Sequence, residues 1–157
     1  MFPLDIWKII FDYLDFRSKL SMVSICFFLR NNLFITDLYH INVRYLNALT
    51  TEILKYPIFE HVTKLNAANN IKITNVSFLK SLKILNAIGD CGISQDSING
   101  LNLIELNASY NIIIQNVSFM KSLKILDARS SRINQDGITG LDLIELDASN
   151  NLGRDYI

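Results

Sequence analysis

The sequence predicts an α+β repeat fold: an N-terminal helical module followed by a short solenoid whose strands form one parallel β-sheet. Three observations predict it. Asn75–Leu85 recurs as Asn116–Leu126 at an offset of 41, and Gly100–Ala108 recurs as Gly140–Ala148 at an offset of 40. Inside that long period, Leu65, Leu85, Leu106, Leu126 and Leu146 stand 20, 21, 20 and 20 residues apart. Residues 1–45, by contrast, carry apolar residues at helical spacing and show no repeat.

The first helix is expected over Asp5–Leu14. Ile6, Ile9, Ile10, Tyr13 and Leu14 fall at i, i+3, i+4, i+7 and i+8, an amphipathic pattern. Trp7 and Phe11 are apolar too, which leaves only Asp5, Lys8 and Asp12 polar. A second helix is expected from Ser18, a natural N-cap residue. One of its stripes holds Leu20, Val23 and Phe27, the other Met22, Ile25, Cys26 and Leu29. Two short helices cannot bury two stripes each against one another, and so small a segment buries little surface alone. The second stripe must face the repeats or another protein. Thr51–Pro57 reads as a helix covering the first coil. The division expected is 1–45 for the helical module, 46–61 for the lead-in, and five repeats of about 20 residues from 62.

Each repeat is built around its Leu. Val62, Leu82, Leu103, Leu123 and Leu143 precede it by three positions, and Ala67, Ala87, Ala108, Ala128 and Ala148 follow it by two. Five positions after the Leu come Asn70, Asp90, Asn111, Ser131 and Asn151. One short parallel strand per copy follows, with stacked strands about 4.8 Å apart and Leu and Ala pointing inward. The Asn-like residue turns the chain, and its amide can bond main-chain groups of neighbouring coils. Asn offers donors and acceptors for that task; Asp and Ser offer part of it. The return segments have room for a short helix or 3₁₀ turn, with Asp96 and Asp136 read as their caps. The fifth copy runs only to Leu152-Gly-Arg-Asp-Tyr-Ile157. An uncovered last strand is therefore expected, with weak self-association through residues 141–157, unless the chain is a shortened relative of a longer repeat protein.

The pattern L-x-x-L-x-A-x-x-N resembles the leucine-rich repeat, with Ala in every copy where that family usually has Leu. The N-terminus, Phe2-Pro3-Leu4-Asp5-Ile6-Trp7-Lys8-Ile9-Ile10-Phe11-Asp12-Tyr13-Leu14-Asp15 followed by Leu20 and Ile25-Cys26, resembles an F-box. Pro3, Asp5, Ile6, Ile10, Tyr13, Leu14, Asp15, Leu20 and Cys26 match that family in kind and spacing; Phe2 replaces its Leu, and Leu29 its Trp. The Asn- and Ile-rich style is similar to F-box/leucine-rich-repeat proteins of large DNA viruses. The resemblance implies a substrate-recognition subunit of an SCF-type E3 ubiquitin ligase. Its F-box would dock on a Skp1-like adaptor through Phe2, Pro3, Ile6, Ile10, Leu14, Leu20 and Val23, and its repeats would hold a target protein. The alternative is a leucine-rich-repeat interaction scaffold whose helical N-terminus only caps the first coil.

Composition narrows the remaining classes. The 15 Lys+Arg balance the 15 Asp+Glu, so neither a nucleic acid nor an anionic membrane is an expected partner. Hydrophobic residues make up 50%, enough apolar surface to offset the entropy of ordering the chain. No apolar run reaches transmembrane length, and Met1–Asp5 lacks the basic start of a signal peptide. An intracellular, cytoplasmic or nuclear location is expected. Cys26 and Cys91 are too far apart for a metal knuckle. His40 and His61 have no partners at ligand spacing, and no acid, base and nucleophile converge, so no enzyme, metal or cofactor is expected.

The target surface expected is the concave face of the sheet. Strand alternation places Lys64, Ile84, Glu105, Ile125 and Glu145 there in one column. A second column is Asn66, Asn86, Asn107, Asp127 and Asp147; a third is Ala68, Ile88, Ser109, Arg129 and Ser149, beside Tyr110. Of these, Lys64, Ile84, Ile88, Glu105, Tyr110, Ile125, Asp127, Arg129 and Glu145 are the candidate target contacts. Ile at exposed sheet positions suggests that something covers them, although Ile also favours strands for its own sake.

Overall fold

The architecture comes from a computed structural model, which describes residues 4–25 and 32–151. Helices α1 (Leu4–Tyr13) and α2 (Phe16–Ile25) come first, followed by strand β1 (Asp37–Leu38) and two one-turn helices, α3 (Val43–Leu46) and α4 (Thr51–Leu54). Strands β2 (Lys64–Asn66), β3 (Ile84–Asn86), β4 (Glu105–Asn107), β5 (Ile125–Asp127) and β6 (Glu145–Asp147) then succeed one another. All six described strands are parallel and stack in chain order, a solenoid-like sheet with helices at its start.

The register is the one the Leu spacing requires. Leu38, Leu65, Leu85, Leu106, Leu126 and Leu146 are consecutive partners across the sheet. Their neighbours on the inner side, Ala67, Ala87, Ala108 and Ala128, are buried as well, as are Val62, Leu82, Leu103 and Leu123. The last coil differs. Leu146 is 44% exposed and β6 has no buried residue, because among the described residues no further coil lies over it.

The sheet begins earlier than the repeat count suggests. Asp37–Leu38 pairs with Lys64–Leu65, inside the segment assigned to the helical module. Ile35 and Leu38 are buried with the same three-residue separation as Val62 and Leu65. The Thr36 carbonyl accepts from the Thr63 and Lys64 amides. The helical lead-in is also broken up. Pro57 has no N–H, and it holds Tyr56 extended at ψ 142°, so α4 stops and a separate 3₁₀ turn forms at Pro57–Phe59.

Caps explain the other boundaries. Helix α2 starts at Phe16 and not at Ser18: the Asp15 carboxylate accepts the Ser18 amide at 2.8 Å, making Asp15 the cap. That bond, above all, keeps the Asp15 carboxyl below its ordinary pKa. Asn42 caps α3 and Thr50 caps α4 through their side-chain oxygens. The 3₁₀ turns at Asp96–Ile98 and Asp136–Ile138 are not capped by Asp96 and Asp136, which are their first residues. Instead the Asn134 side chain accepts from the Gly137 amide, and Ser97 Oγ accepts from the Ser94 amide.

The turn ladder forms, with one correction. Asn70 Nδ2 donates to the Leu46 and Leu49 carbonyls at 2.9 and 3.1 Å. Asn111 Nδ2 donates to the Ala87 carbonyl at 3.2 Å while its Oδ1 accepts from Ile113 and Ile114. Asn151 Nδ2 reaches the Ile133 carbonyl. The Ser131 hydroxyl bonds within its own coil, donating to the Ala128 carbonyl and accepting from the Ile133 amide. Asp90 is exposed and plays no part; the buried Cys91 stands there, its Sγ 3.3 Å from both the Ala87 carbonyl and Asn111 Nδ2. The physical reason is the single 21-residue spacing. The extra residue goes into the turn, which keeps the strands in phase and moves the inward position from Asp90 to Cys91. Each turn also needs a left-handed residue: Asn69, Gly89, Tyr110, Ser130 and Asn150 have φ of +54°, +66°, +59°, +49° and +53°. Gly92 follows from close packing, since a Cβ there would sit 2.6 Å from the Ile71 carbonyl oxygen.

Asn111→Ala leaves buried main-chain groups unpaired and is expected to cost about 1–3 kcal/mol. The Asn116 side chain makes exposed bonds, accepting from the Ser118 amide and hydroxyl, and its bonds to Gln95 use the main chain, so Asn116→Ala is expected to cost within about 0.5 kcal/mol. Urea unfolding midpoints of the two variants check this; coincident midpoints would remove the ladder.

Candidate functional site

The solvent-facing side of the sheet is the leading candidate. Because Leu65, Leu85, Leu106 and Leu126 point inward, the residues flanking them point outward. Register places Asp37, Lys64, Ile84, Glu105, Ile125 and Glu145 side by side in one row. Asp37 comes from the unforeseen β1, and its carboxylate lies 3.7 Å from Lys64 Nζ. Tyr39 follows directly after this strand. Partial burial, and then the nearby Glu105 carboxylate, push its phenol above the usual pKa. The Ile35/Leu38 spacing is the sequence signal that would have revealed this strand.

Ile84, Ile88 and Ile125 lie on this side as expected, but they are half-buried. Adjacent rows about 4.8 Å apart shield one another's side chains. The second row does structural work. The side-chain oxygens of Asn66, Asn86, Asn107, Asp127 and Asp147 each accept the amide two residues on, at 3.0–3.2 Å. Asp127 is tied up further, because its Oδ2 also accepts from Arg129 Nη2 at 2.7 Å and from Asn107 Nδ2 at 3.1 Å. Arg129 Nε lies 3.4 Å from the Asp147 carboxylate. Tyr110 is exposed beside this cluster. Glu105 and Glu145 have no cation within ion-pair distance among the described residues.

The N-terminal candidates separate into three groups. Phe2, Pro3, Cys26 and Leu29, and the side chains of Ile6 and Ile25, lie outside the described residues. Leu14 and Leu20 are half-buried against the core, and Val23 is buried in it, so Val23 presents no surface to a partner. Among the described members of the set only Ile10 is exposed, at 40%; Ile9 and Tyr13 are exposed beside it. Leu20 and Val23 also line an open apolar pocket of about 430 Å³ between α2 and the first coils, together with Phe16, Tyr45, Ile53 and Phe59.

His40 lies against Tyr39 and His61 against Phe34, both by ring edges. Burial raises the Cys91 pKa, which disfavours the reactive thiolate. Among the described residues, no three His, Cys, Asp or Glu side chains are placed to hold a metal ion, and no helix is long and apolar enough to cross a membrane. No protein-family model, no curated protein and no solved structure matches the chain.

The acidic rows have a pH signature. Hydrogen bonds from Ser149, and then the Arg129 charge, hold the Asp147 carboxyl below the usual Asp range. A folded pKa below the unfolded one stabilises the fold at pH above the unfolded value. That stabilisation is lost as pH falls through the folded value. Arg129→Ala is expected to raise the Asp147 midpoint only part of the way, since the Ser149 bonds remain. Carboxyl-carbon NMR titration checks this; complete return to the free-peptide value would assign the shift to the ion pair.

Proposed function

We propose that this chain is a non-enzymatic recognition subunit that joins two proteins. Helix α1 docks on a Skp1-like adaptor and the open face of the sheet holds a target, as in an SCF-type E3 ubiquitin ligase. No ubiquitin chemistry takes place on the chain itself. The observation that carries the reading is the division of α1. Phe11 is buried in the core shared with the repeats, while Ile9, Ile10 and Tyr13 stay exposed on the same helix, Tyr13 at 89%. Such an apolar helix face suits a protein partner. The F-box resemblance of Pro3, Asp5, Ile10, Tyr13 and Leu14 supplies the kind of partner, and the leucine-rich-repeat resemblance supplies a protein target.

The second reading, a scaffold with a helical cap and no ubiquitin role, is favoured by one observation. Met22 and Val23 are buried in the same continuous core as Leu46, Leu65 and Leu85, so the helices also close the end of the solenoid. The two readings part at the exposed face. Ile10→Asp places a charge where desolvation opposes docking, without touching the buried Phe11. Leu14→Asp is a poorer test, because Leu14 is packed on the core. Calorimetric titration of a purified Skp1-like adaptor is expected to show binding that Ile10→Asp weakens at least about tenfold, or about 1.4 kcal/mol, with unchanged thermal unfolding. No binding by the unaltered chain, or undiminished binding by Ile10→Asp, would leave the cap reading.

A further inference from the structure

The row facing solvent on β3–β6 reads Ile84, Glu105, Ile125, Glu145, apolar and acidic in strict alternation. The acidic members are the unneutralised ones. Asp37 has Lys64, and Asp127 and Asp147 share Arg129, whereas Glu105 and Glu145 meet no cation among the described residues. In a chain of zero formal net charge, this row is a local anionic strip interrupted by aliphatic side chains. A partner complementary to it carries cations and apolar groups in alternation.

Spacing decides the partner's conformation. Successive rows lie about 4.8 Å apart, so the four side chains stand at about 0, 4.8, 9.6 and 14.4 Å along the stack. An α-helix laid along the stack rises about 1.5 Å per residue, which puts i, i+3, i+7 and i+10 at about 0, 4.5, 10.5 and 15 Å. Each is within about 1 Å of a row, and all four fall within about 80° of the helix circumference at 3.6 residues per turn. An extended segment repeats the same side about every 6.6 Å, so its second contact falls between the Glu105 and Ile125 rows.

We propose that the open face of the sheet takes a basic amphipathic helix of its target, with apolar residues at i and i+7 over Ile84 and Ile125 and Lys or Arg at i+3 and i+10 on Glu105 and Glu145. This rests on the reading of that face as the target site and adds the chemistry of the target. The contacts are ionic and solvent-exposed, so binding weakens as salt rises.

The probe is a stapled, alanine-based peptide about four helical turns long, with Leu at i and i+7 and Lys at i+3 and i+10. Two comparison peptides replace both Lys by Glu, or keep them and break the helix with Pro. Fluorescence anisotropy with the full chain is expected to show the helical Lys peptide binding at least about tenfold more tightly than either. Glu105→Lys combined with Glu145→Lys is expected to reverse the charge preference in favour of the Glu peptide. Among the described residues neither Glu side chain makes a hydrogen bond or ion pair, and circular dichroism verifies that the variant is folded. Equal affinity for the Lys and Glu peptides, an equally tight Pro peptide, or no binding of the Lys peptide would each overturn the proposal. The adaptor titration on the same preparation separates the two readings. Adaptor binding without peptide binding removes the helix partner alone; peptide binding without adaptor binding removes the ubiquitin-ligase role alone.

Discussion

Everything in this fold hangs on the stacking of one Leu from each coil. Leu38, Leu65, Leu85, Leu106 and Leu126 are each at most 1% exposed. Fully burying such a side chain contributes about 1.5–3 kcal/mol, whereas the strands around them are only two or three residues long. Strands so short have little hydrogen bonding of their own to hold a register. A one-residue slip would turn every Leu toward water and every Glu, Ile and Lys inward. The extra residue of the second repeat therefore cannot enter a strand. It is absorbed between Gly89 and Cys91, at the cost of replacing an amide in the ladder by a thiol.

That constraint also decides what the outer face has left to offer. Chain reversal after each strand needs a left-handed residue and a side-chain oxygen to hold the amide two residues beyond the strand's last residue. Asn66, Asn86, Asn107, Asp127 and Asp147 provide that oxygen. They lie on the outer side of the sheet, Asn86 buried there and Asp147 exposed, and their side-chain oxygens are committed to the turns. The row preceding each Leu, which includes Ile84, Glu105, Ile125 and Glu145, carries no such duty. The proposed recognition surface thus sits one residue away from a structural one on the same short strands.

The helices at the start of the chain serve the core and a surface at once. Phe11, Met22 and Val23 continue the inner stack beyond β1, while Ile9, Ile10 and Tyr13 remain outside it. A partner bound on α1 and a target on the sheet would therefore be held by elements sharing one hydrophobic core. At the opposite end, Leu146 is exposed, with no coil above it among the described residues.

Repeat phase, strand positions, parallel order and the inward Leu and Ala were all legible from spacing, because a coil of nearly constant length forces equivalent residues into equivalent places. The Asn ladder was legible for the same reason at Asn70, Asn111 and Asn151, and misplaced at Asp90, where the length changed. Strand β1 went unread because it has only the Ile35/Leu38 pair and no following Ala or Asn; it exists because β2 offers it an edge. Asp15 and not Ser18 caps α2, and Asp127 is spent on a turn, because a polar side chain's role depends on which amide comes within reach of it. Likewise Val23 and Ile10 look alike as apolar residues on helical stripes. Packing against the repeats buried one and left the other in water, and that choice belongs to contacts between distant parts of the chain, which no local pattern of residues contains.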